Sequence, residues 1–146
     1  MPESFAYHTD LDWFENIRKS TIKGEINFWI TDRRIKLFPG ELFFMKNQKR
    51  FIGVARVKKI ENSVAIREAW DRYGKGNGAS GLFSLIQNIS KVLVDKSATQ
   101  NGLITCIILY DFTPIIPVSF EDAGIPNFQT NKRLSEYETE RLLGLI

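Results

Sequence analysis

Eight consecutive residues, Leu103-Ile104-Thr105-Cys106-Ile107-Ile108-Leu109-Tyr110, carry no charged side chain. A run this short and this apolar reads as a strand covered on both faces, and therefore as a central strand of a sheet. The remainder of the chain must supply its neighbouring strands and the helices that cover it.

The flanking segments offer those elements. Asp10 is placed to cap a helix through Lys19 in which Leu11, Phe14 and Ile17 recur every three residues, and Gly24 follows closely enough to help end it. Glu25 to Ile30 reads as a strand, Pro39-Gly40 as a turn, Glu41 to Lys46 as a second strand, and the β-branched stretch Phe51 to Ile60 as a third. A helix is expected to start at Asn62 or Ser63, with Ile66, Ala69, Trp70 and Tyr73 on one face, and to be broken by the glycine-rich stretch 74–81. A further helix is expected from about Ser80 to Val94, with Leu82, Leu85, Ile86, Ile89 and Leu93 inward. Pro114 and Pro117 bracket an expected short edge strand, because proline has no N–H for a ladder. Ser135-Glu136-Tyr137-Glu138 fits a capping box that opens a last helix through Leu143. The order β, α, β, β, β, α, α, β, β, α lacks βαβ alternation. It predicts an α+β fold, a curved and mostly antiparallel β-barrel or sheet flanked by helices.

Composition narrows the class. At 146 residues, with 43% hydrophobic and 25% charged residues, the chain is expected to form one domain over 1–146 around one core. Its single cysteine, Cys106, permits no internal disulfide and suits a reducing compartment. The opening Met1-Pro2-Glu3-Ser4-Phe5 has no signal-peptide pattern, and no stretch approaches the length of a membrane span, so a soluble cytoplasmic protein without membrane association is expected.

Motifs for chemistry are scarce. Gly76-Asn77-Gly78-Ala79-Ser80-Gly81 matches G-x-G-x-x-G, yet it follows a helix rather than a strand, which favours a connector over a dinucleotide site. With one histidine, His8, and one cysteine, no soft-metal site can be assembled, and a Ser-His-Asp or Cys-His centre would have to depend on His8, which nothing in the sequence places beside Cys106 or a serine, so no metal, no cofactor and no catalysis are expected. The charge distribution is more telling. From Arg33 to Lys59 nine basic residues face one acid, Glu41, a segment charge of +8 within a chain whose net charge is +3. Arg33, Arg34, Lys46, Lys49 and Arg50 fall at expected strand ends and turns, beside the aromatics Phe28 and Trp29. Cations on a rim next to aromatics suit phosphate contact and base stacking, and these five together with Lys58 are the candidate phosphate ligands. Trp29 is either a core residue or a base platform, and Trp70 reads as core.

Several short motifs in a fixed order carry a likeness: Asp12-Trp13-Phe14, Glu25-Ile26-Asn27-Phe28-Trp29, Pro39-Gly40-Glu41-Leu42-Phe43-Phe44, Phe51-Ile52-Gly53-Val54, Ala69-Trp70-Asp71-Arg72-Tyr73-Gly74 with Asn77-Gly78-Ala79, and Cys106-Ile107-Ile108-Leu109. From about Asp12 to Leu109 the chain resembles the N-terminal region of certain bacterial HNH endonucleases, which is similar to the PUA-like superfamily of SRA, EVE and YTH domains. The resemblance implies a curved barrel that flips a nucleotide out of its stack, holds a modified base in an aromatic-walled pocket, and leaves DNA cutting to a fused or associated HNH module. It places Asn27, Phe28 and Trp29 in the base pocket first, and Trp13 and Asp32 second. The sequence stops at Ile146 without an HNH module, so an excised domain or a stand-alone reader of modified DNA in a restriction system is expected. An RNA-binding module of PUA or YTH type and a protein-interaction domain stay open beside it.

Overall fold

The computed structural model describes residues 3–20, 24–92 and 100–146. Six strands form one mixed sheet: β1 (Ser4–His8), β2 (Ile26–Thr31), β3 (Leu42–Asn47), β4 (Arg50–Ala65), β5 (Leu103–Ser119) and β6 (Asn131–Leu134). Their order across the sheet is β2-β5-β4-β3-β1-β6, so the apolar run at the start of β5 is interior and the sheet ends in two edges instead of closing into a barrel. Only β1 and β3 run parallel, with Phe5 opposite Phe43 and His8 opposite Lys46. The other neighbours are antiparallel.

The helices are α1 (Leu11–Lys19), α2 (Ile66–Tyr73), α3 (Leu82–Ser90), α4 (Phe120–Ala123) and α5 (Glu136–Leu143), and a 3-10 turn at Gly74–Asn77 follows α2. Local chemistry explains where two of them begin. The Asp10 carboxylate accepts the Asp12 N–H at 2.7 Å, and the Ser135/Glu138 capping box is present in both directions. Alternation along β5 sends Ile107 and Leu109 into a core with Trp13, Phe14 and Ile17 of α1. The intervening Ile104, Cys106 and Ile108 join Ile66 and Ala69 of α2 and Leu85 and Ile89 of α3. A third cluster places Phe44 and Phe51 against Phe120 of α4 and Leu142 of α5.

Long-range pairing overrules the sequence pattern in several places. The helix expected at Asn62 or Ser63 begins at Ile66, because β4 continues to Ala65, paired with Leu103. Ser63 sits in the left-handed region with φ 55°, and its N–H and hydroxyl both donate to Asp32. The prolines expected to bracket a separate edge strand lie inside β5, where the β4–β5 register shifts on both sides of the Gly53–Pro114 pair. The ladder thereby accommodates a residue with no N–H. The helix expected from Ser80 occupies Leu82–Ser90, and the part of that expectation at Leu93 and Val94 lies outside the described residues. Among the described residues no helix is long and apolar enough to cross a membrane.

Candidate nucleic-acid interface

Two clefts open where β1 ends. The first, about 490 Å³, is walled by Tyr7, Trp13, Phe28 and Trp29, with Asp10, Asp12, Arg33 and Lys91 among its charged lining residues. The second, wider and about 690 Å³, is lined by Lys46, Lys49 and Arg50, by Gln48, Asn127 and Gln129, and by Phe128 and Ser119. His8 lines both. The charge balance differs between them. Two carboxylates offset two cations in the first, whereas the second gathers three cations and no carboxylate.

The aromatic walls are held from behind. The Trp13 indole donates to the Asn27 carbonyl at 3.3 Å, and the Trp29 indole donates to the Asn77 carbonyl at 3.2 Å. Asn77, itself fully buried, donates to the carbonyls of Ala69 at 3.0 Å and Gly74 at 2.8 Å, and its Oδ1 accepts Asn27 Nδ2 at 2.8 Å. Asn16 of α1 donates to the Gly78 carbonyl at 2.9 Å. A β-carbon on Gly78, whose φ is +75°, would meet Trp13 Cδ1 at 2.1 Å, so only glycine lets the turn lie against the indole. The Gly76–Gly81 stretch is thus a structural connector that clamps both tryptophans. Trp13 and Phe28 meet edge to face at 5.1 Å, as do Tyr7 and Phe28 at 5.4 Å, which fixes the remaining walls.

Of the five expected pocket residues, Trp13, Phe28 and Trp29 share this cleft. Asn27 lies beneath it, fully buried, its amide donating to Asn77 and to the Cys106 sulfur at 3.3 Å, and it reaches the site only through the carbonyl that holds Trp13. Asp32 braces the bend of β4 through Ser63 and accepts the Thr105 hydroxyl at 3.2 Å. Sequence spacing gave no sign of Tyr7, whose place at the wall depends on the pairing of β1 with β3 and β6.

The basic residues do not form one rim. Arg33 stands at the first cleft, donating to the Tyr7 hydroxyl with its guanidinium 5.6 Å from the ring centroid. Lys49 and Arg50 project from the β3–β4 hairpin, where Gln48 turns with φ 55°, and neither they nor the exposed Arg34 has an ion-pair partner among the described residues. Lys46 differs from the expectation. Only 3% exposed, it donates to the carbonyls of Gln48 at 3.3 Å and Phe128 at 3.0 Å, and burial pushes its pKa down. It fastens the hairpin to the 127–130 segment. Lys58 likewise is engaged, by Glu25. At the junction, His8 titrates below its ordinary value, first because of burial and then because of the Lys46 charge, with Asp10 opposing both.

No family model matches the chain, and no curated protein matches it. Solved structures do. The ASCH protein from Zymomonas mobilis superposes with a TM-score of 0.68 at 18% identity, over 97% of this chain and 94% of that one. A tyrosine-to-phenylalanine variant of the same protein gives 0.68 and 18% over 99% of both chains, and a serine-to-alanine variant gives 0.67 and 20% over 97% and 95%. The fold is PUA-like. Within this PUA-like frame, the two clefts sit at the open edge by β2 and at the β3–β4 hairpin, with the end of β1 between them.

Proposed function

We propose that this PUA-like chain binds nucleic acid, taking one unpaired base into the cleft between Trp13 and Trp29 and the adjoining phosphates on Arg33, Lys49 and Arg50. The observation that carries the proposal is the pairing of a charge-balanced aromatic cleft with a cationic one across His8. A neutral, planar base suits the first, since stacking needs an apolar face and little net charge. A polyanion suits the second. The PUA-like likeness supports the same reading. Its sharper form, implied by the resemblance to HNH endonuclease N-terminal regions, is a modified DNA base flipped from a duplex into the aromatic cleft. The proposal is of binding alone, and no cleavage step is assigned to it.

Fluorescence anisotropy with labelled single-stranded RNA, single-stranded DNA, and duplexes with and without modified bases tests it, each at low and physiological salt. Binding that weakens steeply with salt, and that falls for every ligand in Arg50→Ala, is expected. A preference among bases that disappears in Trp29→Ala is expected with it. Absence of binding across the panel overturns the proposal, and equal affinity for paired and unpaired bases overturns the base-pocket part of it.

A further inference from the structure

We propose that the second cleft is a second nucleotide subsite, in which a base stacks on Phe128 while Lys49 and Arg50 hold the phosphate that joins it to the nucleotide in the first cleft. This rests on the nucleic-acid reading above and adds to it a minimum ligand: a single strand of at least two nucleotides.

Phe128 is prepared as a platform. Its ring lies parallel to Phe120 at 4.9 Å with 11° between the planes and takes the Lys46 ammonium at 5.0 Å from its centroid, so its position is fixed while the residue remains only half-buried in the cleft wall. Its carbonyl is anchored by the buried Lys46 at 3.0 Å, and that same ammonium reaches the Gln48 carbonyl of the β3–β4 hairpin. Two lining segments tied through one cation are preorganised, and ordering them costs little when a ligand arrives. Gln48, Asn127 and Gln129 line the same cleft, and their amides carry both donors and acceptors for a base edge. Lys49 and Arg50 complete a lining that includes no carboxylate. An aromatic face, amides and unpaired cations together fit a nucleotide better than an acidic peptide, which would leave the ring and the amide acceptors unused.

The two subsites are contiguous. The His8 N–H donates to the Thr130 carbonyl at 2.7 Å and the Thr9 N–H to the Lys46 carbonyl at 2.7 Å, so the wall between the clefts is one hydrogen-bonded unit. Thr130 lines the first cleft and Gln129 the second. A strand crossing at His8 would pass from one to the other within neighbouring residues.

The test compares a nucleoside monophosphate with the dinucleotide and tetranucleotide of the same base, ribo and deoxy, against wild type, Trp29→Ala, Phe128→Leu and Phe128→Tyr, with a melting curve for each protein. The dinucleotide should bind wild type at least tenfold more tightly than the mononucleotide. Phe128→Leu should remove about tenfold of dinucleotide affinity and leave the mononucleotide unchanged, and Phe128→Tyr should restore the loss. Trp29→Ala should weaken both ligands. If wild type binds the longer strands but Phe128→Leu leaves the dinucleotide step intact, the second subsite is refuted and the first stands. If Phe128→Tyr fails as Phe128→Leu does, with both melting early, Phe128 serves packing and the subsite is again refuted. If wild type binds none of the strands, the parent reading falls and this one with it.

Discussion

The contact between Gly78 and Trp13 offers a sharp test of how the aromatic cleft is built. In Gly78→Ala the new β-carbon would lie 2.1 Å from Trp13 Cδ1, 2.6 Å from Nε1 and 2.7 Å from Cγ, at a backbone φ of +75°. The indole has little room to retreat, since it donates to the Asn27 carbonyl and meets Phe28 edge to face. Two costs add: about 1–2 kcal/mol for a left-handed non-glycine residue and about 1–3 kcal/mol for overpacking a filled site. Together they predict a loss of about 2–5 kcal/mol, which for a domain of this size lowers Tm by roughly 10 °C. Gly40→Ala is the control, because Gly40 has φ +87° with nothing within 4 Å of its added β-carbon, so it bears only the first cost. Thermal melts of both variants followed by circular dichroism should rank Gly78→Ala clearly below Gly40→Ala. Indole N–H resonances should show Trp13 displaced in Gly78→Ala alone. Equal melting of the two variants, with Trp13 unmoved, would refute the clamp.

Other measurements reach other parts of the molecule. Lys46→Ala should cost about 2–3 kcal/mol of stability, since it strands two carbonyls, whereas Lys49→Ala and Arg50→Ala should melt as wild type and each lower the salt slope of binding by about one. Trp29→Ala should lose about 1–3 kcal/mol of oligonucleotide affinity in titrations at fixed salt. Because His8 titrates below 6.5 when folded, the unfolded chain binds the extra proton first. The histidine's contribution to stability is therefore complete above pH 6.5 and is lost as pH falls toward the folded value, a drop that His8→Gln should shrink. Burial raises the Cys106 thiol to about 11 from 9.0, so its contribution holds below pH 9 and fades toward pH 11. A maleimide should leave Cys106 unlabelled in the native protein at pH 8 and label it in urea.

What the sequence determined by itself was local. The apolar run at 103–110 declared an interior strand because burial on both faces excludes charge, and Asp10 and Ser135 declared helix starts because a cap is satisfied within three residues. The absence of βαβ alternation was enough for the α+β class. The tertiary structure decided everything that depends on a distant partner: the short β6, the parallel pairing of β1 with β3, and the extension of β4 through the helix-like residues 62–65. The site divides in the same way. Phe28 and Trp29 could be singled out as aromatics near cations, and Trp13 only through the family resemblance, but their meeting depends on a turn 48 residues beyond Trp29, whose Asn77 spans α2 and β2. Adjacent letters also parted. Asn27 is engaged beneath the cleft by Asn77 and Cys106, and Asp32, just past the end of β2, by Ser63 and Thr105, partners that only folding brings within reach. The +8 segment was legible as charge, but which of its cations are engaged within the fold depended on folding, which brought Glu25 to Lys58 and the Phe128 carbonyl to Lys46, partners 33 and 82 residues away.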